Sequence, residues 1–103
     1  MSDVIRQVIR HVIVRGQVQG VGYRAFVEDE AALRGLEGWV RNRRDGAVEA
    51  VFAGPAEEVA LMIEACQKGP WSARVEGVDQ KDGTREQLAQ RRLGQKFSVL
   101  TTI

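Results

Sequence analysis

The residues with the strongest claim to chemistry lie together near the start of the chain, in the run Gly16-Gln17-Val18-Gln19-Gly20-Val21-Gly22-Tyr23-Arg24. Glycines at 16, 20 and 22 let the backbone turn sharply and approach a ligand with no Cβ in the way. A loop that leaves a strand and enters a helix aims several unpaired N–H groups at one spot. The helix dipole adds a fractional positive charge there, of about +0.5. Such a cradle suits an anion, and phosphate above all. Arg24, on the first helical turn, can fold back over it and complete it with a guanidinium, whose planar fork matches phosphate oxygens. On the glycines alone, a turn with no chemical role remains open.

Two other phosphate loops share parts of this pattern. Gly20-x-Gly22-x-x-Ala25 fits the alanine-terminated dinucleotide fingerprint, but that fold needs an acidic residue at the end of the next strand to hold a ribose. The corresponding stretch here is Val40-Arg41-Asn42-Arg43, and the chain is too short for a doubly wound sheet. The nucleotide-triphosphatase loop needs Gly-Lys followed by Ser or Thr, and no such triplet occurs.

The elements that must position these residues follow from periodicity. Val8 to Arg15 alternates, with Val8, Val12 and Val14 on one parity and Arg10 as the exception, which predicts a strand with one buried face. Loop 16–22 follows, then a helix over Tyr23–Arg34, with Ala25, Phe26, Ala32 and Leu33 expected on its inner face and Gly35 as its stop. Leu36–Arg41 and Ala47–Ala53 read as strands around Asp45-Gly46, a hairpin signal because the turn needs positive φ. Gly54-Pro55 opens a second helix, with proline at the first helical position. Its apolar positions Val59, Met62, Ile63 and Cys66 follow helical spacing, and Gly69-Pro70 ends it. Ala73–Gln80 alternates again. Residues 81–96 are polar, with Leu88 and Leu93 hinting at a short helical turn, and Phe97–Leu100 reads as a closing strand. The order βαββαβ predicts an α+β sandwich, two helices on one face of an antiparallel sheet of four or five strands.

Composition sets the bounds. At 103 residues the chain is expected to form one domain over residues 1–103. Apolar residues at 44% and charged residues at 28% allow a packed core. No apolar run is long enough to span a membrane, and the early acid at Asp3 argues against a signal peptide. One cysteine, Cys66, excludes an internal disulfide and fits a cytoplasmic protein. A net charge of +1 favours neither nucleic acid nor an anionic membrane as partner. Twelve of the fifteen cations are arginine, and Arg41, Arg43 and Arg44 crowd one stretch. They bias the chain toward a small anionic ligand or simply solvate its surface.

The nine-residue run at 16–24, followed by Gly38-Trp39-Val40-Arg41-Asn42, resembles the two signature motifs of the acylphosphatase family. The resemblance continues through Asp45-Gly46-x-Val48-Glu49, Gly54 and Gly69-Pro70-x-x-Ala73-x-Val75, and covers about residues 8–80. It implies a ferredoxin-like fold, in agreement with the periodicity. It also implies hydrolysis of small acyl phosphates such as acetyl, carbamoyl or glyceroyl phosphate. In that family the arginine of the first motif binds the phosphate and the asparagine of the second orients the attacking water, roles that fall on Arg24 and Asn42. Loop residues Gly16, Gln17, Val18, Gln19, Gly20, Val21, Gly22 and Tyr23 would hold the phosphate. Tyr23 stands where relatives often have phenylalanine, and residues 81–96 do not align with the family's final connection.

The remaining candidates are weaker. His11, the only histidine, falls mid-strand and reads as structural or surface. Cys66 lies on the buried stripe of the second helix, and Trp39 and Phe52 read as core. No His, Cys and carboxylate cluster has metal-ligand spacing, so neither metal nor other cofactor is expected, and the chain is expected to be a monomer. Two alternatives stand beside the hydrolase. One is a phosphate- or carbamoyl-phosphate-binding module like those attached to larger carbamoyl-transfer proteins. The other is an RNA-binding ferredoxin-like module, disfavoured because the presumed central strand 8–15 carries no aromatic cluster.

Overall fold

The computed structural model describes residues 5–103. Its elements run β1 (Gln7–Gln17), α1 (Tyr23–Leu33), β2 (Glu37–Asn42), β3 (Val48–Pro55), α2 (Ala56–Lys68), β4 (Arg74–Asp82), α3 (Arg85–Leu88) and β5 (Phe97–Val99). The strands form one sheet in the order β4-β1-β3-β2-β5. The expected α+β sandwich is present, and β1 lies inside the sheet between β3 and β4, so the loop that leaves it emerges between two neighbouring strand ends.

Strand alternation divides the side chains into two faces. Val12, Ala50 and Val40 stand opposite one another across β1, β3 and β2. They belong to the main core, together with Val14, Val48, Phe52, Leu36 and the buried stripe of α2 at Val59, Met62, Ile63 and Cys66. All four residues of that stripe fall where helical spacing predicts. In α1 the inner face is Tyr23, Val27 and Ala31, with Phe26 packed against it. Of the four residues expected there, Ala25, Ala32 and Leu33 are exposed, Leu33 by 78%. Helical geometry allowed either phase, and the large Tyr23 with β-branched Val27 won the buried side. Pro55 also shifts: it closes β3 and caps α2 from outside, so the helix begins one residue later, at Ala56.

The second departure is at the C-terminal end. Residues 83–96 leave the β4 edge and cross the face of the sheet that α1 and α2 do not cover. There the short α3 takes Trp39 as its anchor, whose indole Nε1 donates to Gln87 O at 2.6 Å. Trp39 and Phe52 are therefore both buried, on opposite faces. The crossing delivers β5 to the far edge, where it runs parallel to β2, with Gly38 opposite Phe97 and Val40 opposite Val99. The other three strand pairs are antiparallel, as expected; the fifth strand makes the sheet mixed. β5 starts at the end of the sheet where β4 stops, so it runs antiparallel to β4 and therefore parallel to β2.

Candidate active site

Strand β1 continues to Gln17, so Gly16 and Gln17 belong to the sheet and not to the loop. The register with β4 slips between Arg15 and Gly16, a bulge at which Gly16 takes φ 130°. A Cβ there would collide with the carbonyl of Arg74, so this glycine serves close strand packing. Gly20 and Gly22 are different. Their φ values of 74° and 82° put both in the left-handed region, and nothing lies within 4 Å of where a Cβ would project. The space in front of them is open.

From Val18 to Ala25 no backbone N–H donates to a backbone or side-chain acceptor among the described residues. The first that does is Phe26 N, which donates to Gly22 O at 3.0 Å. Gly22 caps α1 in the left-handed conformation with no side-chain cap bond. The result is a continuous set of unsatisfied donors at the positive end of a helix.

Four side chains fix this loop. Val18 is buried as a plug in the main core. Tyr23 is buried too, and its hydroxyl donates to Cys66 O at 2.7 Å, tying the start of α1 to α2. Burial raises the Tyr23 phenol well above its ordinary value and pushes the Cys66 thiol up to about 12, so both are structural at neutral pH. On one flank, Gln19 Nε2 donates to Arg43 O at 2.7 Å and to Ala47 O at 2.8 Å. On the other, Ser72 Oγ donates to Val21 O at 2.8 Å.

Asn42 ends β2 opposite Val48 of β3. Gln19 grips the residue after Asn42 and the residue before Val48, which brings the strand end that bears Asn42 to the loop. Alternation puts its side chain on the same face as Val40, toward the helices. Its backbone carbonyl accepts from Ile103 N at 3.1 Å. Arg24 stands on the first turn of α1. Both residues are half-buried, and neither side chain is taken up by an ion pair or hydrogen bond with any described residue. An unpaired guanidinium and an unpaired amide have the chemistry to meet an anion and to orient a water, and free N–H groups can add donors to the same anion.

Sequence reading missed a charged cluster on the opposite face of β1, β2 and β3. His11 Nε2 lies 2.7 Å from Glu49 Oε2, and Arg41 Nε donates to Glu49 Oε1 at 2.8 Å. Burial opposes ionisation of Glu49, but hydrogen bonds from His11 and Arg41 and their charges outweigh it and hold its carboxyl below the ordinary value. Arg41 also stacks on Trp39, 4.6 Å from the ring centroid. Arg43 pairs with Asp45 at 3.1 Å, so of the three clustered arginines two are committed to carboxylates. The residues carry alternating-parity labels in the sequence, but their partners become visible only once the strands are in register. No group of three or more His, Cys, Asp and Glu residues could hold a metal among the described residues, and none of their helices is long and apolar enough to cross a membrane.

The sheet, its two covering helices and the open donor loop between β1 and α1 define a ferredoxin-like domain. Comparison with known proteins gives the same answer with more detail. A family model described as Acylphosphatase matches residues 10–98. An acylphosphatase of Rhodopseudomonas palustris (strain BisB18) is 58% identical over 103 residues, covering the whole of both chains. The crystal structure of acylphosphatase from Bacillus subtilis aligns with TM-score 0.77 and 35% identity, covering 90% of this chain and 98% of that one. An acylphosphatase from Coxiella burnetii aligns with TM-score 0.78 and 31% identity, covering 91% and 93%. The chain belongs to the acylphosphatase family and is an enzyme that hydrolyses acyl phosphates.

Proposed function

We propose that the chain cleaves the carboxyl–phosphate bond of small acyl phosphates by in-line attack of a water oriented by Asn42, on a phosphate held by the loop N–H groups and Arg24. The observation that carries this reading is the unbroken run of unpaired backbone donors from Val18 to Ala25, closed off by an uncommitted guanidinium and an uncommitted amide. The cradle proper is the backbone of residues 18–22 with the first turn of α1. Gly16 and Gln17 act by ending β1 at the right height.

The chemistry needs little more. Water oxygen forms the new bond to phosphorus as the phosphorus–acyl oxygen bond breaks, and the carboxylate leaves without needing a proton. Such a reaction depends on positioning and charge stabilisation more than on covalent help. The Asn42 carbonyl oxygen accepts a hydrogen bond from the water and aims it, but an amide is too weak a base to take the proton. That proton passes to a phosphate oxygen. Arg24 and the amides meet the charge that develops on the equatorial oxygens.

We place the domain in the cytoplasm as a monomer. A single buried thiol needs no oxidising compartment, and residues 8–99 contribute to one main core.

The test is phosphate release from benzoyl phosphate in the presence of chelator, comparing the parent with Arg24→Ala and Asn42→Ala. Each substitution should lower the rate by at least about 10²-fold. Turnover that survives both defeats the mechanism. A folded parent that binds phosphate but releases none from the substrate would make the domain a binding module. Loss of activity in chelator would show a metal requirement.

A further inference from the structure

The two tethers of the loop pull in opposite directions. Gln19 ties it to the β2–β3 hairpin that bears Asn42. Ser72 ties it, through Val21 O, to the turn between α2 and β4. β1 lies between β3 and β4 in the sheet, so the hairpin and this turn stand on opposite sides of the loop.

That turn is rigid. Ala73 N donates to Pro70 O at 3.0 Å, closing a turn with Trp71 and Ser72 at its centre. Gly69, which precedes it, has φ 65° and backs onto Tyr23 so closely that a Cβ would come within 3.3 Å of the Tyr23 ring. Yet the turn holds out Trp71 with 99% of its surface exposed. Its indole makes no hydrogen bond or aromatic contact with a described residue, whereas the other tryptophan, Trp39, is buried with its N–H satisfied. A large aromatic side chain has only two rotatable bonds to immobilise, so one held out from a hydrogen-bonded turn beside the loop loses little conformational freedom when it is covered.

In-line displacement sets what covers it. Attacking and leaving oxygens lie on opposite sides of phosphorus. With the water on the Asn42 side of the loop, the acyl oxygen departs on the other side, toward the Pro70–Ala73 turn. We propose that this turn is an acyl-group subsite with Trp71 as its apolar wall, selecting acyl phosphates whose acyl group is aromatic or bulky and apolar over those of the acetyl type. The inference rests on the hydrolytic reading above and goes beyond it by naming the substrate class.

The experiment compares parent, Trp71→Ala and Trp71→Phe on benzoyl phosphate and acetyl phosphate. Trp71→Ala should lower kcat/KM for benzoyl phosphate by about threefold to tenfold, the worth of one aromatic contact, chiefly through KM. Its kcat/KM for acetyl phosphate should hold, and Trp71→Phe should keep most of the benzoyl preference. An equal loss on both substrates, or no loss on benzoyl phosphate, overturns the subsite. Should the parent hydrolyse neither, the hydrolytic reading fails separately, and binding decides. Calorimetric titrations with phenylphosphonate and methylphosphonate should then show tighter binding of the phenyl compound to the parent and no such difference in Trp71→Ala. A parent that binds the two alike overturns the subsite by that route.

Discussion

Gln19 commits both protons of its side-chain amide to the β2–β3 hairpin, 2.7 Å from the carbonyl oxygen of Arg43 and 2.8 Å from that of Ala47. The side chain that the sequence offers as part of a phosphate cradle is thus spent on the hairpin, where it ties the loop to the strand end that bears Asn42. The Gln19→Leu variant keeps the bulk and removes both donors. Each lost bond should cost about 1 kcal/mol of stability, visible as a lower midpoint in urea. The larger effect should be on kcat, lower by on the order of 10-fold to 10²-fold, because misplacing an orienting group by an ångström disturbs the line of attack. Inhibition by inorganic phosphate, which needs the cradle and not the aimed water, should change little. A phosphate affinity that falls in step with kcat would show that Gln19 acts on the anion itself.

The glycines of the loop should separate into two kinds. Gly16→Ala drives a Cβ into the Arg74 carbonyl at φ 130°, where the clash is with backbone that cannot step aside. Several kcal/mol of destabilisation is expected, about 3 or more, from strain and from a broken bulge. Gly20→Ala meets no atom within 4 Å and pays only for its left-handed φ of 74°, about 1–2 kcal/mol. Its methyl projects into the open space before the unpaired donors. Thermal denaturation should therefore single out Gly16→Ala, while activity in folded protein should single out Gly20→Ala. A stable Gly16→Ala would mean that β1 and β4 can shift apart at the bulge.

Much of this was readable from the chain, for definite reasons. The stripe Val59, Met62, Ile63 and Cys66 lies on one face at helical spacing, and nothing in the fold competes with it. Asp45-Gly46 makes its hairpin because Gly46, at φ 93°, supplies the conformation the turn requires. The failures share a cause, which is that the deciding partner is distant in sequence. Gly16 looked like loop because its reason to be glycine is the backbone of Arg74. The inner face of α1 was misphased because Tyr23 is drawn inward by the Cys66 carbonyl. Residues 81–96 gave no signal of covering a sheet face, since what anchors them is the indole N–H of Trp39 meeting Gln87 O. At the site, Arg24 and Asn42 could be named from the motifs they complete, but the roles of Gln19 and Ser72 needed the register of three strands.

Cys66 supplies a simple check on how tightly the end of α2 is packed. Its thiol is fully buried, with a pKa pushed up to about 12 by burial first of all. Only the thiolate reacts with alkylating or disulfide reagents. Native protein at neutral pH should therefore leave Cys66 unmodified by a thiol-exchange reagent over hours and yield one equivalent after denaturation. Rapid native labelling would indicate that α2 opens locally and would also loosen the Tyr23 tether that fixes α1.

Glu49 gives the fold its clearest dependence on pH. Burial alone would raise its carboxyl, but hydrogen bonds from His11 and Arg41, with the charges behind them, lower it below the 4.5 of an ordinary glutamate. A carboxyl depressed in the folded state contributes stability above its unfolded value and loses it as pH falls through the folded one. The parent should thus hold this contribution near neutrality and shed it in acid, beginning at the ordinary glutamate range and ending below it. The Glu49→Gln variant keeps an acceptor but not the charge, leaving Arg41 without its carboxylate, while Arg43, 4.0 Å from Glu49, keeps Asp45. It should be less stable at pH 7 by about 1–3 kcal/mol. Urea midpoints measured between pH 7 and pH 3 should converge for the two proteins, because the parent's advantage disappears once Glu49 takes up its proton. Curves that stay parallel across that range would place the acid sensitivity elsewhere and leave Glu49 as a hydrogen-bond acceptor whose charge contributes nothing.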